Sequence, residues 1–201
     1  MKKIILASKS NDRSEIFKRA RIPFETFITN INEEKYIAQF SDPVELVKEI
    51  AKQKALFAKN KLLEESSNPI IIAADTLVEI NEEIIGKAQN NSEAFKILKK
   101  LMGKAHKLIT GIAITDIENP KMILDSDITI VEFLELSDDE ILEYIKTDEW
   151  KGRAGAYSIN DRASLFINKI NGSSSNVIGL PMQKLYKLLK KEFDINLFQL
   201  E

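Results

Sequence analysis

Three short segments carry the side chains best suited to phosphate and metal chemistry. The first, residues 7–13, places Ser8, Ser10 and Arg13 between a predicted strand and a predicted helix. The backbone amides at such a junction and the positive end of the helix dipole attract phosphate, and an arginine can hold a phosphate through two hydrogen bonds. An ordinary polar turn with a serine at the helix N-cap explains the same residues, so both interpretations stay open. The segment lacks the glycine spacing and the Gly-Lys-Ser/Thr ending of a P-loop.

The second and third segments place a carboxylate and a lysine near a predicted hairpin. Asp75 follows five apolar residues of a predicted strand. A carboxylate in or beside a sheet core is unfavourable unless it is paired, hydrogen-bonded or bound to a metal. Asp75 is therefore a candidate catalytic residue or metal ligand, although an aspartate at a strand kink, satisfied by backbone donors, fits as well. The hairpin returns the chain to Lys87, which could lie close to Asp75 or be an ordinary surface lysine.

Other charged and aromatic residues are weaker candidates. Glu33 and Glu34 follow the second predicted strand, where either could be a second metal carboxylate or a solvated loop charge. Lys54 lies on an amphipathic helix, where most lysines face solvent. We interpret His106 as a structural histidine, and Trp150 as a core residue or as cover for the base of a ligand. A Ser-His-Asp triad cannot be built convincingly around a single histidine.

The composition excludes several classes of site and partner. The 201 residues include no cysteine and one histidine, which excludes disulfides, thiolate zinc sites and His-rich metal clusters. A metal site would use carboxylates, carbonyls and water, which favours Mg²⁺ or Mn²⁺. With 29 basic and 31 acidic residues, the chain lacks the basic excess of a nucleic-acid-binding protein. The apolar start stops at Ala7, and no stretch approaches the roughly 18 apolar residues of a membrane span, so we expect a cytoplasmic protein without membrane or nucleic-acid partners.

The elements that must hold these side chains alternate between strands and helices. Asp42 is a predicted N-cap with proline at the next position, and Ser137 and Glu140 form a predicted capping box. The alternation predicts one α/β domain over residues 1–201 with a mixed, elongated sheet. The predicted strands are 3–7, 24–28, 70–80, 84–85, 106–115, 122–134 and 164–170. The predicted helices lie around 16–20 and at 43–63, 92–102, 138–146 and 177–191. A polar loop is predicted at 64–69 and a turn at 118–120.

Seven segments, taken in order, resemble the Maf family of nucleotide pyrophosphatases. Their order and spacing, rather than any one of them, carry the resemblance, which extends from residue 4 to about residue 189. The segments are Leu6-Ala7-Ser8-Lys9-Ser10 with Arg13 and Glu15, Ala74-Asp75-Thr76-Leu77-Val78, Gly86-Lys87, Thr110-Gly111, Leu136-Ser137-Asp138-Asp139-Glu140-Ile141, Ala154-Gly155-Ala156-Tyr157-Ser158-Ile159 and Ser175-Asn176-Val177-Ile178-Gly179-Leu180-Pro181.

The resemblance implies a fold, an activity and a set of site residues. The implied fold is a mixed, elongated sheet flanked by helices, with two lobes around a central cleft. The implied activity is a nucleoside triphosphate pyrophosphatase that uses a divalent metal, Mg²⁺ or Mn²⁺, in a homodimer. Asp75 is implied as catalytic and, with Glu33, as a metal ligand. Together with the residue-level candidates, the predicted substrate contacts are Ser8, Ser10, Arg13, Lys54, Thr76, Lys87 and Asn160.

The sequence departs from the family pattern in four places. Asp12 replaces the first of two arginines, Asn11 replaces the proline before it, and Ala88 replaces the proline after Gly-Lys. Asn160-Asp161 replaces a Gln-Gly pair whose glutamine helps to define the members that prefer dTTP and UTP. Thr76 fits that substrate group, whereas Asp12 and the shorter amide of Asn160 do not.

The resulting prediction is hydrolysis of nucleoside or deoxynucleoside triphosphates to the monophosphate and pyrophosphate, with removal of non-canonical nucleotides as its purpose. A preference for dTTP and UTP is one expectation, and purine or methylated nucleotides are the alternative substrates of the same fold. A different class of function, a non-catalytic regulator of septum formation that binds a nucleotide or a protein, also stays open.

Overall fold

The computed structural model describes residues 2–63, 68–118 and 120–200, whose helices and strands follow the alternation expected from the sequence. Two short 3₁₀ helices, Arg162–Leu165 and Leu197–Gln199, lie between and after the longer elements. The longer elements are β1 (Ile4–Leu6), α1 (Asn11–Arg19), β2 (Glu25–Thr26), α2 (Glu34–Ile37), α3 (Pro43–Leu62), β3 (Ile70–Ile80), β4 (Glu83–Ile85), α4 (Asn91–Leu101), β5 (Ala105–Asp116), β6 (Met122–Phe133), α5 (Asp138–Ile145), β7 (Ile167–Asn171), α6 (Ser174–Ile178) and α7 (Met182–Phe193).

Capping residues fix the starts of two helices. The Asp42 side chain accepts a hydrogen bond from the Val44 amide at 2.9 Å, and Pro43 takes the first helical position of α3. At α5 the Ser137 side chain accepts from the Glu140 amide, while the Glu140 carboxylate accepts from the Ser137 amide. Both starts confirm the sequence predictions.

The helix expected at residues 177–191 is wrong, because the structure has two helices there. α6 ends at Ile178 and α7 begins at Met182. Gly179 has a φ of 108°, which lies outside the range of a right-handed helix. Pro181 lacks an amide hydrogen and restricts the residue before it, so the helical hydrogen bonds cannot continue across this segment.

Two smaller differences involve short helices. The strand expected at residues 164–170 begins only at Ile167, because residues 162–165 form a 3₁₀ helix. The four-residue helix α2 was not expected from the sequence. The predicted loop at 64–69 and the turn at 118–120 lie partly outside the described residues.

Within the described residues, seven strands form one mixed sheet with helices packed against it. Its order is β2-β1-β3-β5-β6-β7, and β4 pairs with β3. β1 runs parallel to both neighbours, with Leu6 opposite Ile72 of β3, whereas β4 and β7 pair antiparallel with β3 and β6. The presence of both orientations confirms the predicted α/β class with a mixed sheet.

The chain divides into two compact units. The first comprises Met1–Asp75, Thr110–Asp127 and Gly179–Glu201. Its core packs the alanines of α3, Ala51, Ala55 and Ala58, with small and branched residues of β1, β3 and β5. Small side chains at these positions let α3 approach the strands closely.

The second unit comprises Thr76–Ile109 and Ile128–Ile178. Its core joins apolar residues of α4 and α5 to an aromatic group in which Phe133 packs edge-on against Tyr157 and Phe166. The cleft expected between two lobes stays a prediction. No helix in the described ranges has both the length and the apolar surface of a membrane-spanning segment.

Candidate active site

Two serines shape the turn between β1 and α1. Ser10 has an extended backbone and caps α1, where its side chain accepts a hydrogen bond from the Arg13 amide at 3.4 Å. The Ser8 hydroxyl oxygen accepts from the Ser10 amide at 3.1 Å. The predicted N-cap is therefore present, and the same turn sets the direction in which Arg13 leaves the helix.

The Arg13 side chain is buried and held at two points. Its Nε donates to the Gly179 carbonyl oxygen at 2.7 Å, and its Nη1 donates to Ser8 Oγ at 3.3 Å. Only 8% of the residue is exposed. Because a guanidinium donates in fixed directions within a plane, two such contacts determine where the whole group lies.

Nearby carboxylates compensate for the burial of this charge. Burial lowers the pKa of the Arg13 guanidinium, and the negative charges of Asp75, Glu33 and Asp12 oppose that change. A buried cation that has carboxylates near it belongs to a charged cluster rather than to an isolated ion pair. Such a cluster desolvates several charges, which is unfavourable for stability alone and is common at functional sites.

Lys54 connects two acidic residues. It lies on the buried face of α3, in the same stripe as Ile50 and Ala51, and is 7% exposed. Its Nζ lies 2.7 Å from Asp75 Oδ1 and 2.8 Å from Glu33 Oε1. Asp75 is buried in β3, three residues beyond the last β1 partner, while the Glu33 side chain is 31% exposed just before α2. Lys54 is therefore buried, unlike most helical lysines, which face solvent.

The first unit thus gathers six of the residues predicted from the sequence. The charges in this group are balanced, because Arg13 and Lys54 face Glu33 and Asp75. We call the following residues the charged cluster: Ser8, Ser10, Arg13, Glu33, Lys54 and Asp75. An anionic ligand would find two cations and two hydroxyls there, and a metal ion would find two carboxylates.

The remaining predicted site residues belong to the second unit. Thr76 follows Asp75 in β3 and is partly buried. Lys87 is exposed, and its backbone forms an isolated antiparallel bridge with Ala154. Asn160 is exposed in a turn before the 3₁₀ helix at residues 162–165. Their participation in the site stays a prediction.

His106 and Trp150 are core residues. His106 Nε2 lies 3.0 Å from the Tyr157 hydroxyl, and the ring packs edge-on against Phe133. Burial lowers the pKa of His106 to about 4, so the imidazole is neutral at pH 7. Trp150 is buried, and its Nε1 donates to the Ile145 carbonyl oxygen at 3.2 Å. The structural interpretation of His106 agrees with these contacts.

The charged cluster offers a limited set of metal ligands. Across the residues that the structure describes, no three acidic or histidine side chains group as a metal cage would require. Glu33 and Asp75 nevertheless converge on one cation, the Lys54 ammonium. Mg²⁺ often binds through one or two carboxylates and takes its other oxygens from water and substrate phosphates. The donor set fits Mg²⁺ or Mn²⁺ whose other ligands are water and phosphate oxygens.

Sequence reasoning assigned no role to Gly179, although its carbonyl holds Arg13. The two residues are 166 positions apart, so no local pattern links them. One signal was available. Gly179-Leu180-Pro181 interrupts an otherwise helical pattern, which marks a fixed backbone position between two helices.

Comparison with known proteins matches nearly the whole chain to the family that its sequence motifs resemble. Residues 3–192 match the family model described as Maf-like protein. A protein of Alkaliphilus oremlandii, described as dTTP/UTP pyrophosphatase, is 47% identical over 197 residues, which cover 98% of this chain and 100% of that protein. A protein of Clostridium beijerinckii with the same description is 42% identical, and the match covers 94% of this chain and 98% of that protein. One from Thermoanaerobacter sp. is 39% identical, and the match covers 97% of this chain and 99% of that protein.

Proposed function

This chain belongs to the Maf family, and on that premise we propose that it hydrolyses nucleoside triphosphates to the monophosphate and pyrophosphate. The observation that carries the proposal is the Lys54 ammonium held by Glu33 and Asp75 beside Arg13. A triphosphate has close to four negative charges at neutral pH. The two cations bind part of that charge, and the two carboxylates supply ligands for a divalent ion that binds more of it.

The substrates that we propose are pyrimidine triphosphates, dTTP and UTP. This choice is supported by the description of the three relatives as dTTP/UTP pyrophosphatases and by Thr76, which fits that substrate group. Asn160 keeps the amide of the family glutamine on a side chain shorter by one methylene. We propose that Thr76, Lys87 and Asn160 contact the nucleotide, which their motif positions support.

Glu33 and Asp75 are the proposed ligands of Mg²⁺ or Mn²⁺. When bound, the ion would neutralise phosphate charge and polarise the α-phosphoryl group. The chain's own residues supply the remaining chemistry. Arg13, fixed by Ser8 and Gly179, offers a rigid guanidinium to a phosphate, and Lys54 offers a mobile ammonium. Positioning and charge stabilisation of this kind dominate phosphoryl transfer.

The reaction that fits this arrangement is attack of water on the α-phosphorus. The new bond joins the water oxygen to that phosphorus, the bond to the α,β-bridging oxygen breaks, and pyrophosphate leaves. Asp75 either accepts a proton from the attacking water or positions that water. Its burial in the charged cluster, next to the cations that would bind the triphosphate, supports a place for Asp75 at the reacting phosphate in either role.

We also propose a cytoplasmic homodimer as the working form, without nucleic-acid or membrane partners. The resemblance to the Maf family supports the dimer, and the net charge of −2 disfavours nucleic acid. Analytical ultracentrifugation of the purified protein tests the dimer. Fractionation of cells that produce it tests the location.

Product analysis with labelled water tests the activity. The purified protein would be incubated with each canonical ribo- and deoxyribonucleoside triphosphate, and with methylated bases, in ¹⁸O-water with Mg²⁺ or Mn²⁺. We expect pyrophosphate and ¹⁸O-labelled monophosphate, with dTTP and UTP as the best substrates. Orthophosphate as the product, or the label in pyrophosphate, would contradict attack at the α-phosphorus. Binding without turnover would instead favour a non-catalytic regulator.

Asp75→Asn should lower kcat by about 10²- to 10⁴-fold, because the amide is a poor proton acceptor and a weaker metal ligand. Steady-state kinetics with the best substrate measures this change. Asp116→Asn is the matched control, because Asp116 is another buried aspartate of the first unit that pairs with a lysine, Lys2, at 2.9 Å. Equal effects of the two substitutions would remove Asp75 from the mechanism.

A further inference from the structure

The oxygens proposed to bind the metal are already occupied by a cation of the protein itself. Glu33 Oε1 and Asp75 Oδ1 both lie within hydrogen-bond distance of Lys54 Nζ, at 2.8 and 2.7 Å. The contact is not a surface ion pair, because Lys54 and Asp75 are 7% and 8% exposed. In a buried site, charges are weakly screened by solvent and salt.

Simultaneous binding of a divalent ion and this ammonium to the same two carboxylates is unfavourable. A metal ion needs the same oxygens at closer range than a hydrogen bond does, and the two cations repel each other. Arg13 adds a third positive charge, since both carboxylates act on its guanidinium. Without an anionic ligand, Arg13 and Lys54 already neutralise Glu33 and Asp75, so little net attraction for Mg²⁺ remains.

A triphosphate changes this balance. Its oxygens give the Lys54 ammonium a new acceptor, and the four-carbon stem of lysine allows the ammonium to move while the backbone of α3 stays in place. The same oxygens complete the coordination of the metal, for which two carboxylates alone are a poor set of ligands.

We propose that Lys54 excludes divalent ions from the free protein and that the metal enters only with the triphosphate, as Lys54 moves from the carboxylates to phosphate oxygens. This inference deepens the proposed function and rests on it for the identity of the metal ligands. Lys54 thereby acts as an internal substitute for the metal, and it makes metal binding depend on nucleotide.

Binding of Mn²⁺ in the absence of nucleotide tests the proposal directly. Isothermal titration calorimetry and the electron paramagnetic resonance signal of free Mn²⁺ would be measured for the wild type, Lys54→Met and Lys52→Met. Lys52→Met is the matched control, because Lys52 lies on the same helix and pairs with Glu49 instead. We expect the Kd for Mn²⁺ to fall by about tenfold or more in Lys54→Met alone, a change of about 1.4 kcal/mol. Equal affinities in the three proteins would overturn the proposal.

Further variants localise the effect and guard against misfolding. Adding Asp75→Asn to Lys54→Met should abolish the gain in Mn²⁺ affinity, and retention of the gain would place the ion elsewhere and overturn the proposal. Lys54→Gln keeps a polar side chain, and circular dichroism establishes that each variant folds. Wild-type protein should bind the preformed complex of Mn²⁺ with α,β-imido-dUTP, and a failure to do so would refute entry of the metal with nucleotide.

These measurements distinguish failure of the proposed competition for the carboxylates from failure of the proposed activity. Hydrolysis of triphosphates together with unchanged Mn²⁺ affinity in Lys54→Met and Lys54→Gln would refute the competition and leave the proposed activity intact. A gain in Mn²⁺ affinity without hydrolysis of any triphosphate would refute the proposed activity and support the competition.

Discussion

A guanidinium at position 13 combines a permanent charge with donors in fixed directions. Two of those donors are committed to the protein, one to the Gly179 carbonyl and one to the Ser8 hydroxyl. The rest of the planar group is therefore oriented before any substrate arrives. Pre-organisation of this kind lowers the entropy lost when a phosphate binds.

Arg13→Lys should lower kcat/KM by about 10- to 100-fold, even though the charge is kept. An ammonium cannot donate to Gly179, Ser8 and a phosphate in the geometry that the guanidinium provides. Steady-state kinetics measures the effect. Arg19→Lys makes the same chemical change in the exposed last turn of α1 and should leave kcat/KM nearly unchanged. A loss no larger in Arg13→Lys than in this control would mean that only the charge at position 13 matters.

The residues of the charged cluster are all candidates that the sequence offers, but their pairing could not be predicted from it. Arg13 and Asp75 stand in motifs whose residue types suit phosphate and metal. That Lys54 contacts both Glu33 and Asp75 depends on where three elements meet, since Lys54 and Asp75 alone are 21 positions apart. Distances between elements are set by packing of the whole unit, which local patterns do not encode.

At the scale of elements, the packing of α3 against β5 determines the position of Lys54. Gly111 of β5 faces the backbone of α3, and a Cβ at that position would lie 2.6 Å from the Lys48 amide nitrogen and also clash with the Val47 carbonyl group. These atoms belong to the helix backbone and cannot rotate away. Lys54 follows Val47 by two helical turns on the same face. A shift of the helix at Val47 therefore moves the ammonium.

Gly111→Ala should destabilise the protein by about 1–3 kcal/mol through overpacking and should also lower activity. Urea unfolding followed by circular dichroism measures the free energy, and hydrolysis of the best substrate measures activity. The control is Gly86→Ala, because nothing lies within 4 Å of a Cβ added there. If the free energies of unfolding of the two variants agree, α3 adjusts to the added methyl group, contrary to this expectation.

Elements with strong local signals were predicted to within a residue or two, and elements fixed by tertiary contacts were not. Asp42-Pro43 marks the start of α3, and the apolar run at 70–80 marks β3 over its full length. The break between α6 and α7 was missed because the helical spacing of apolar residues resumes beyond it. The Gly179 carbonyl oxygen at this break accepts a hydrogen bond from Arg13. The interruption of the helical pattern thus coincides with a tertiary contact that local patterns do not encode.

At the scale of the molecule, the charged cluster depends on the return of the chain to its first unit. All six residues of the cluster precede position 76, yet Gly179, whose carbonyl oxygen holds Arg13, comes from the last segment of that unit. The second unit contributes a different property, because it buries the only histidine of the chain. Because the chain has a single imidazole, one substitution isolates the histidine contribution to the pH dependence of stability.

Stability of the protein should fall as the pH decreases from about 6.5 to about 4 because His106 is buried in its neutral form. Burial lowers the pKa of His106 from 6.5 to about 4, so in this window the unfolded chain binds a proton that the folded chain does not. The contribution is fully present above pH 6.5 and is lost as the pH falls to about 4, a total of about 3 kcal/mol at roughly 1.4 kcal/mol per pKa unit. Urea unfolding at several pH values measures it against His106→Gln, whose side chain does not titrate. Parallel pH profiles for the two proteins would show that the imidazole gains its proton equally well in the folded state, contrary to its burial beside Tyr157 and Phe133.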